Sequence, residues 1–437
     1  MRSRWLTFSI ALVVVLMVAL PVAGFAQTSR IEGMAIQGDY VKDYTGIYTY
    51  PSCITAVGNL MYAELGTSPA LNNLSTGTPV TADRAVGTVM DKLFDGKFGT
   101  WGIHLRQETP ALGQGDALSQ PGVGFGGADP NTNTNEAFDL MWGRKSGTTS
   151  IGLRLHRSNM AFQDEVPGIT TKLEFDQSVL GPNNLARNIM GYGVGIGFEM
   201  NPQTNVELAL EYQSRTYENS TTGVQKNTDD GPTTFSIAAR AMRQWKPNVM
   251  IVPVVKFTSY DLSEKLDGTP GGGVVTSFDN KLHSWQAGIS ADWTLGTNDL
   301  MVWGLTFAQN SFDENEDLFG LSGITGMAPG DHVVLTESLM PQLFAALETH
   351  VNNWLTLRFG ANKGAFQHIK VEDKTPGATE TQNLSFSSFA MNIGAGVKVG
   401  QLQLDAVLAN NFPQNMGWLG SGVAQTYFPK VTATYPF

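Results

Sequence analysis

The chain lacks several features that most exported or membrane-bound proteins depend on. Its 437 residues include one cysteine, Cys53, so no disulfide bond can form within the chain. After the first 26 residues, no stretch approaches the roughly 18 consecutive apolar residues that a membrane-spanning helix needs. Charged residues make up only 15%, and the formal net charge of −11 argues against a nucleic-acid partner. These absences exclude a disulfide framework and a helical membrane domain.

The sequence also lacks the motifs of cofactor and metal sites. There is no Gly-rich phosphate loop, no zinc-spaced set of His and Cys, and no haem motif. Residues 313–317 are acidic, and Asp129, Asn131, Asn133 and Asn135 have the spacing of the first ligands of a calcium loop. Thr134 and Leu140 stand where a calcium loop needs Gly and a bidentate Glu, so the segment that starts at Asp129 does not match such a loop. We interpret this segment and residues 313–317 as solvated loops. We predict no cofactor and no bound metal.

The N-terminal 26 residues have the three parts of a secretory signal peptide. Arg2 and Arg4 precede an apolar run from about Leu6 to Leu20, and the small residues around Ala26 supply a cleavage site. We predict cleavage after Ala26. The exported chain then loses two positive charges, and its net charge changes from −11 to −13.

Alternation of apolar and small or polar residues predicts that most of the exported chain is β-strand. In residues 190–200 every second residue is large and apolar, and four of the five intervening residues are glycine. A strict two-residue period over this length cannot be one face of a helix. Six hairpins with short turns show this alternation. Longer polar segments, which we predict to be loops, lie between and after them at 158–188, 215–232, 260–281, 311–334, 364–383 and 410–424.

Strict alternation of short turns and long loops is typical of bacterial outer-membrane barrels, in which tilted strands of about 10 residues cross the hydrocarbon. The hairpins supply twelve strands, residues 101–106 and the terminal segment 426–437 two more, and weaker candidates at 55–65 and 84–93 the last two. We predict an all-β, transmembrane, antiparallel up-and-down β-barrel formed by residues 55–437. We expect sixteen strands, with fourteen as the alternative, short periplasmic turns and long outer loops.

The last strand alternates Val431, Ala433, Tyr435 and Phe437 on one face and ends the chain with an aromatic residue. Tyr435 and Phe437 resemble the assembly signal of outer-membrane barrels. This implies that the barrel-assembly machinery is a partner and that the protein lies in the outer membrane of a Gram-negative bacterium. Outer-membrane lipid, lipopolysaccharide and small solutes are the other partners that we expect.

The strand face opposite the apolar one carries charges of both signs. We predict that these residues line the lumen: Arg106, Asp139, Arg154, Glu199, Glu207, Glu211, Arg240, Lys256, Asp292, Glu348, Arg358, Lys398 and Asp405. His104 and His156 lie on the same face. The charges either set the selectivity of a polar channel or pair with one another and fill a lumen that conducts little.

Residues 27–54 precede the barrel, do not alternate, and form either an N-terminal plug or a periplasmic segment. The stretch from Asp43 to Ser52 has an acidic start, an Ile-Tyr pair, and a Pro followed by a small residue. It resembles the N-terminal element of the fatty-acid-transporter class of outer-membrane proteins, although Tyr50 stands where that class commonly has Asn. The resemblance implies a hatch inside a fourteen-stranded barrel, uptake of a hydrophobic solute through the wall, and an outer docking groove at residues 318–321 and 324–327.

Three functions follow from these patterns, and our first expectation is an outer-membrane porin or channel for passive diffusion of small solutes. The alternatives are a transporter of hydrophobic solutes with an N-terminal plug, and a structural or surface-interaction barrel. We do not expect an enzyme. His283 and Ser284 are adjacent on one strand, so they point to opposite faces and cannot form a catalytic pair.

Overall fold

The computed structural model describes residues 29–67, 82–91, 93–106, 136–163, 183–221, 225–229, 231, 233–261, 263–267, 276–279, 281–296, 298–314, 332–374, 381–409 and 427–437. The signal peptide, the calcium-like spacing at 129–135, residues 315–317 of the acidic cluster and the apolar patches at 318–321 and 324–327 lie outside these residues. Within the described residues, no helix is long and apolar enough to cross a membrane.

Nineteen strands lie within the described residues, and all of their pairings are antiparallel. They are, in chain order, β1 (Leu60–Thr67), β2 (Ala82–Met90), β3 (Thr100–Arg106), β4 (Glu136–Ser146), β5 (Thr149–Gln163), β6 (Asn183–Asn201), β7 (Thr204–Thr221), β8 (Gln225–Asp229), β9 (Thr233–Lys246), β10 (Val249–Asp261), β11 (Glu264–Asp267), β12 (Thr276–Phe278), β13 (Lys281–Leu295), β14 (Asp299–Glu314), β15 (Val333–His350), β16 (Leu355–Asp373), β17 (Thr381–Val399), β18 (Leu402–Ala409) and β19 (Tyr427–Pro436).

Sixteen of these strands close into one barrel. β1 pairs with β2 on one side and with β19 on the other, so the sheet has no free edge. The short strands β8, β11 and β12 pair with one another and with the end of β7, outside the barrel ladder. The prediction of a sixteen-stranded up-and-down barrel is confirmed. The two weak candidates correspond to β1 and β2, although β1 begins only at Leu60.

The strands are longer than the predicted length of about 10 residues. β6, β16 and β17 each have 19 residues. Much of the predicted loop at 364–383 is therefore strand, and β5 and β6 extend into 158–188. The extra length carries polar residues, which resemble loop composition, yet ladder pairing still satisfies the backbone hydrogen-bonding groups. We call the end of the barrel with the short turns the turn end and the other the loop end.

Side chains alternate between the outer surface and the interior of the barrel. On β7, Leu208 is 44% exposed, whereas its neighbour Glu207 is 7% exposed. Two positions depart from the expected faces. A two-residue period that runs back from Leu343 predicts Leu339 on the outer face, but Leu339 is buried inside, because the ladder is irregular at Met340–Pro341 and the faces shift there. Val249 is likewise buried, beside a register shift at the start of β10.

Residues 29–57, which we call the N-terminal segment, lie inside the barrel in its turn half. The segment has four short helical turns at Ser29–Gly33, Gly38–Tyr40, Gly46–Thr49 and Pro51–Ala56. Its buried apolar side chains pack in two clusters against inward-facing residues of the wall. One cluster joins Ile31, Met34 and Tyr40 to β9, β10, β14 and β15, and the other joins Ile47 and Ile54 to β2 and β4.

Candidate functional site

Glycines of the wall lie where the backbone of the N-terminal segment approaches most closely. A Cβ added to Gly195 would lie 2.7 Å from the amide nitrogen of Ser52, and one at Gly152 would overlap the carbonyl group of Pro51. Gly360 and Gly394 have the same relation to Met34 and Gly33. Because glycine has no side chain, these positions bring two backbones into direct contact. The sequence pattern identified such glycines only as small lumen residues.

Arg240, on β9, binds the central part of the segment. Its guanidinium forms an ion pair with Glu207, donates a hydrogen bond to the carbonyl oxygen of Asp39 at 3.1 Å, and lies 4.4 Å from the ring centroid of Tyr50. The thiol of Cys53 donates to Glu207 at 3.0 Å. The next inward-facing cation, Lys256, forms an ion pair with the side chain of Asp39. Arg240, Lys256 and Glu207 of the wall thus contact the segment at Asp39, Tyr50 and Cys53.

A second cluster holds the segment against β4, β5 and β7. Asp139 accepts hydrogen bonds from Arg154 at 2.8 Å and lies within hydrogen-bond distance of the imidazoles of His104 and His156. Arg154 also pairs with Glu211 and donates to the carbonyl oxygen of Tyr48 at 3.1 Å. The backbone of the segment is therefore bound by an arginine that is itself paired with two wall carboxylates.

The start of the segment is held on the other side of the barrel. Arg30 donates two hydrogen bonds to Glu348, at 2.8 and 2.9 Å, in the bidentate geometry typical of strong Arg–carboxylate pairs. Arg358 donates to the same carboxylate at 2.6 Å and to Asp405 at 2.7 Å. Ser29 contacts Thr432 of β19. The contacts of residues 29–57 thus reach strands around most of the barrel.

Burial shifts the pKa values of several groups in the N-terminal segment. Burial raises the pKa of the Cys53 thiol above its usual range, although Arg240 acts in the opposite direction. Burial raises the pKa of Tyr40 to about 12. For Arg30, burial lowers the pKa, but hydrogen bonding and charge from Glu348 outweigh it and raise the value. The thiol and phenol therefore stay neutral and the guanidinium stays charged near neutral pH.

The thirteen predicted lumen residues occupy three kinds of position. Ten are buried on the inward face: Asp139, Arg154, Glu207, Glu211, Arg240, Lys256, Asp292, Glu348, Arg358 and Asp405. All of these except Asp292 belong to the clusters that hold the N-terminal segment. Asp292 differs from the other nine because its hydrogen-bond partner within the described residues is a hydroxyl, that of Ser290. Arg106 is partly buried. Glu199, which pairs with Lys145, and Lys398 are exposed at the turn end.

The inner wall of the loop half also contains apolar residues, and these lie outside the two clusters that pack against the N-terminal segment. Five inward-facing residues follow one another across β10, β13, β14, β15 and β16 in a continuous row of pairing partners. We call them the apolar row: Tyr260, Leu282, Phe312, Leu335 and Val371. All five are buried. On the inner surface of β5, β7 and β9 lie Ser158, Gln213, Arg215, Thr234 and Ser236, and the guanidinium of Arg215 is 5.3 Å from the ring centroid of Tyr260. The sequence analysis did not single out this row.

His283 does contact a serine, but not the one considered from sequence. Its Nδ1 lies 3.0 Å from Oγ of Ser259 on the neighbouring strand, on the exposed outer face. Among the described residues, no carboxylate or amide is hydrogen-bonded to this imidazole. The described residues also contain no group of three or more His, Cys, Asp or Glu side chains that could hold a metal ion.

A closed antiparallel barrel with an apolar outer surface and a polar, largely paired interior defines an outer-membrane β-barrel. The chain is such a protein, and its place is the outer membrane. Solved structures similar to it include the toluene transporter TodX of Pseudomonas putida (9% identity, TM-score 0.39, covering 95% of this chain and 98% of that chain). A FadL homologue of Pseudomonas aeruginosa is also similar (11%, TM-score 0.41, 95% and 100%).

The ferric citrate transporter FecA is a third similar structure (11% identity, TM-score 0.41), of which the match covers 50%, against 80% of this chain. No protein-family model matches the sequence, and no curated protein matches it.

Proposed function

We propose that this protein is an outer-membrane channel for hydrophobic solutes, closed at its turn end by the N-terminal segment. The observation that carries the proposal is the apolar row. The lumen of a water-filled porin is polar, whereas here five neighbouring strands present Tyr, Leu, Phe, Leu and Val to the interior. Apolar surface that a solute covers stabilises its binding by roughly 25 cal/mol per Å².

The contacts of the N-terminal segment support its role as a plug. It crosses the lumen below the apolar row. There the hydroxyl of Tyr40 is hydrogen-bonded to the hydroxyl of Thr306, and the side-chain amide of Gln286 donates to that of Gln37. A solute that enters from the loop end therefore meets the apolar row first and the segment next. The fatty-acid-transporter resemblance implies a hatch at the same place, but in a barrel of fourteen strands rather than sixteen.

Binding of an uncharged apolar fluorophore, 1-N-phenylnaphthylamine, to the refolded protein in lipid nanodiscs tests the proposal. Leu335→Gln places a polar group in the middle of the apolar row and should weaken binding roughly tenfold, equivalent to about 1.4 kcal/mol. Leu210→Gln makes the same change on the outer face and serves as the control. Equal fluorophore binding by both variants and the unchanged protein would contradict the proposal.

A porin for small polar solutes is the second candidate, favoured by the charged inner face of the barrel. The two functions differ in conductance across a planar bilayer. The hydrophobic channel should be silent with its segment in place and should conduct ions once residues 29–57 are deleted. Stable conductance steps from the full-length protein would favour the porin.

A further inference from the structure

Glu337 of β15 differs electrostatically from most carboxylates inside the barrel. It is buried, at 4% exposure, and its hydrogen-bond partners are two amides: Gln367 Nε2 at 2.5 Å and Asn310 Nδ2 at 3.4 Å. By contrast, six other interior carboxylates each form an ion pair with Lys or Arg: Asp39, Asp139, Glu207, Glu211, Glu348 and Asp405. Glu337 therefore has no cationic partner among the described residues.

The pairing register places Glu337 directly beneath the apolar row. It lies two residues from Leu335 on the same strand, and its own row consists of Thr258, Ser284, Asn310 and Ile369. The next row toward the turn end begins with Lys256, which is three strands away from Glu337 and already paired with Asp39. None of the described inward-facing side chains around Glu337 on β13, β14 or β16 is charged.

The neighbouring amide adds a second acceptor to this position. Gln367 donates from its NH₂ group to Glu337, and its buried Oε1 has no hydrogen-bond partner within the part of the chain that the structure describes. Buried polar atoms are nearly always hydrogen-bonded in native proteins, so an acceptor without a donor beside an unpaired carboxylate indicates a missing donor group. A carboxylate and an amide oxygen together match an ammonium group, which has three N–H donors and no acceptor.

We propose that Glu337 and Gln367 form a subsite for the cationic head of an amphipathic solute whose apolar body lies on the apolar row. The substrate class is then an alkyl- or arylalkyl-ammonium compound rather than a fatty acid, because Glu337 repels a carboxylate. This assignment rests on the proposed channel for hydrophobic solutes and specifies what that channel carries.

Three probes that share the same six-carbon chain but differ in head group separate the contribution of the head group to binding from that of the apolar chain. Hexylamine is cationic at pH 7, hexan-1-ol is neutral and hexanoate is anionic. Each competes with 1-N-phenylnaphthylamine on the full-length protein in nanodiscs. We expect hexylamine to compete at concentrations at least about tenfold lower than hexan-1-ol, since a hydrogen bond to a charged group is stronger than a neutral one. Hexanoate should be the weakest of the three.

The variant Glu337→Gln keeps the shape of the side chain and removes its charge. It should lose the preference for hexylamine, while the affinity for hexan-1-ol stays within about twofold. Glu372→Gln, on the opposite face of the neighbouring strand, is the matched control and should behave as the unchanged protein.

The outcomes separate the subsite from the channel. Fluorophore binding with equal competition by hexylamine and hexanoate would overturn the subsite and leave the channel proposal standing. A hexylamine preference that survives Glu337→Gln would do the same. Absence of fluorophore binding to the unchanged, folded protein, together with conductance through it, would overturn both.

Discussion

The two halves of the barrel interior share one fold but differ in how their polar groups are satisfied. In the turn half, wall charges pair with one another and with residues 29–57, as Arg240 does with Glu207 and Asp39. In the loop half, an apolar row lies beside a carboxylate, Glu337, whose partners among the described residues are amides rather than cations. Most charges of the turn half are thus paired within the protein, whereas the carboxylate of Glu337 in the loop half has only amide partners among the described residues.

The same substitution should have different consequences in the two halves. Glu207→Leu removes one partner of a buried ion pair and leaves Arg240 uncompensated, which should lower the free energy of unfolding by about 3–5 kcal/mol. Glu337→Leu removes a buried carboxylate that has no cationic partner among the described residues, and the free energy of unfolding should change by no more than about 1 kcal/mol or should rise. Urea unfolding from lipid vesicles, followed by the mobility difference between folded and unfolded forms on a gel, measures both.

Two results would break the comparison between the halves. Equal losses of stability for Glu207→Leu and Glu337→Leu would mean that Glu337 has a cationic partner in the folded protein. A loss below about 1 kcal/mol for Glu207→Leu would make it resemble an exposed pair such as Lys145–Glu199, for which the expected contribution is about 0–1 kcal/mol.

A methyl group at a wall glycine should separate the segment from the wall of the turn half. In Gly152→Ala the new Cβ overlaps the carbonyl group of Pro51, and overpacking of this kind costs about 1–3 kcal/mol. The strain is relieved if the segment leaves the lumen, so the variant should conduct ions across a planar bilayer.

Gly191→Ala is the control for this prediction, because its Cβ would meet wall side chains, the nearest at 3.1 Å, and no atom of the segment is among its three nearest contacts. It should remain silent in the bilayer. Conduction by Gly191→Ala and silence of Gly152→Ala would show that the segment does not depend on the glycine contacts.

Local alternation was enough to predict the barrel, because which face a strand residue takes follows from its neighbours alone. The patterns of β1 and β2 are weak, and an even strand number requires only that both or neither be counted, so fourteen strands stayed open as the alternative. The contacts of the glycines could not be predicted in this way: Gly195 touches Ser52, more than 140 residues earlier, and nothing in either local sequence encodes that approach. The signal for this approach that the sequence does contain is the alternating run of glycines on β6.

Glu337 was missed for a more specific reason. Continuing the period of Leu343 through β15 places Leu339, and with it Glu337, on the outer face. The irregularity at Met340–Pro341 reverses the faces, so that both residues point inward. A proline within a strand pattern is the available signal, since proline in sheets is found at edges and bulges. Applying the shift at Pro341 would have added Glu337 to the predicted lumen residues.

The reactivity of Cys53 with a thiol reagent reports whether the turn half of the lumen is closed to solvent. Burial raises the pKa of this thiol, so it stays protonated at pH 9, where an ordinary cysteine with a pKa near 8.5 is largely the reactive thiolate. A water-soluble maleimide at pH 9 should therefore label the folded protein at least about tenfold more slowly than the urea-unfolded chain, and labelling should accelerate in Gly152→Ala. Because the raised pKa belongs to the folded state, the free energy of unfolding should fall as the pH rises above about 8.5. Equal labelling of folded and unfolded protein would place Cys53 in contact with solvent, and the turn half would then be as open as the loop half.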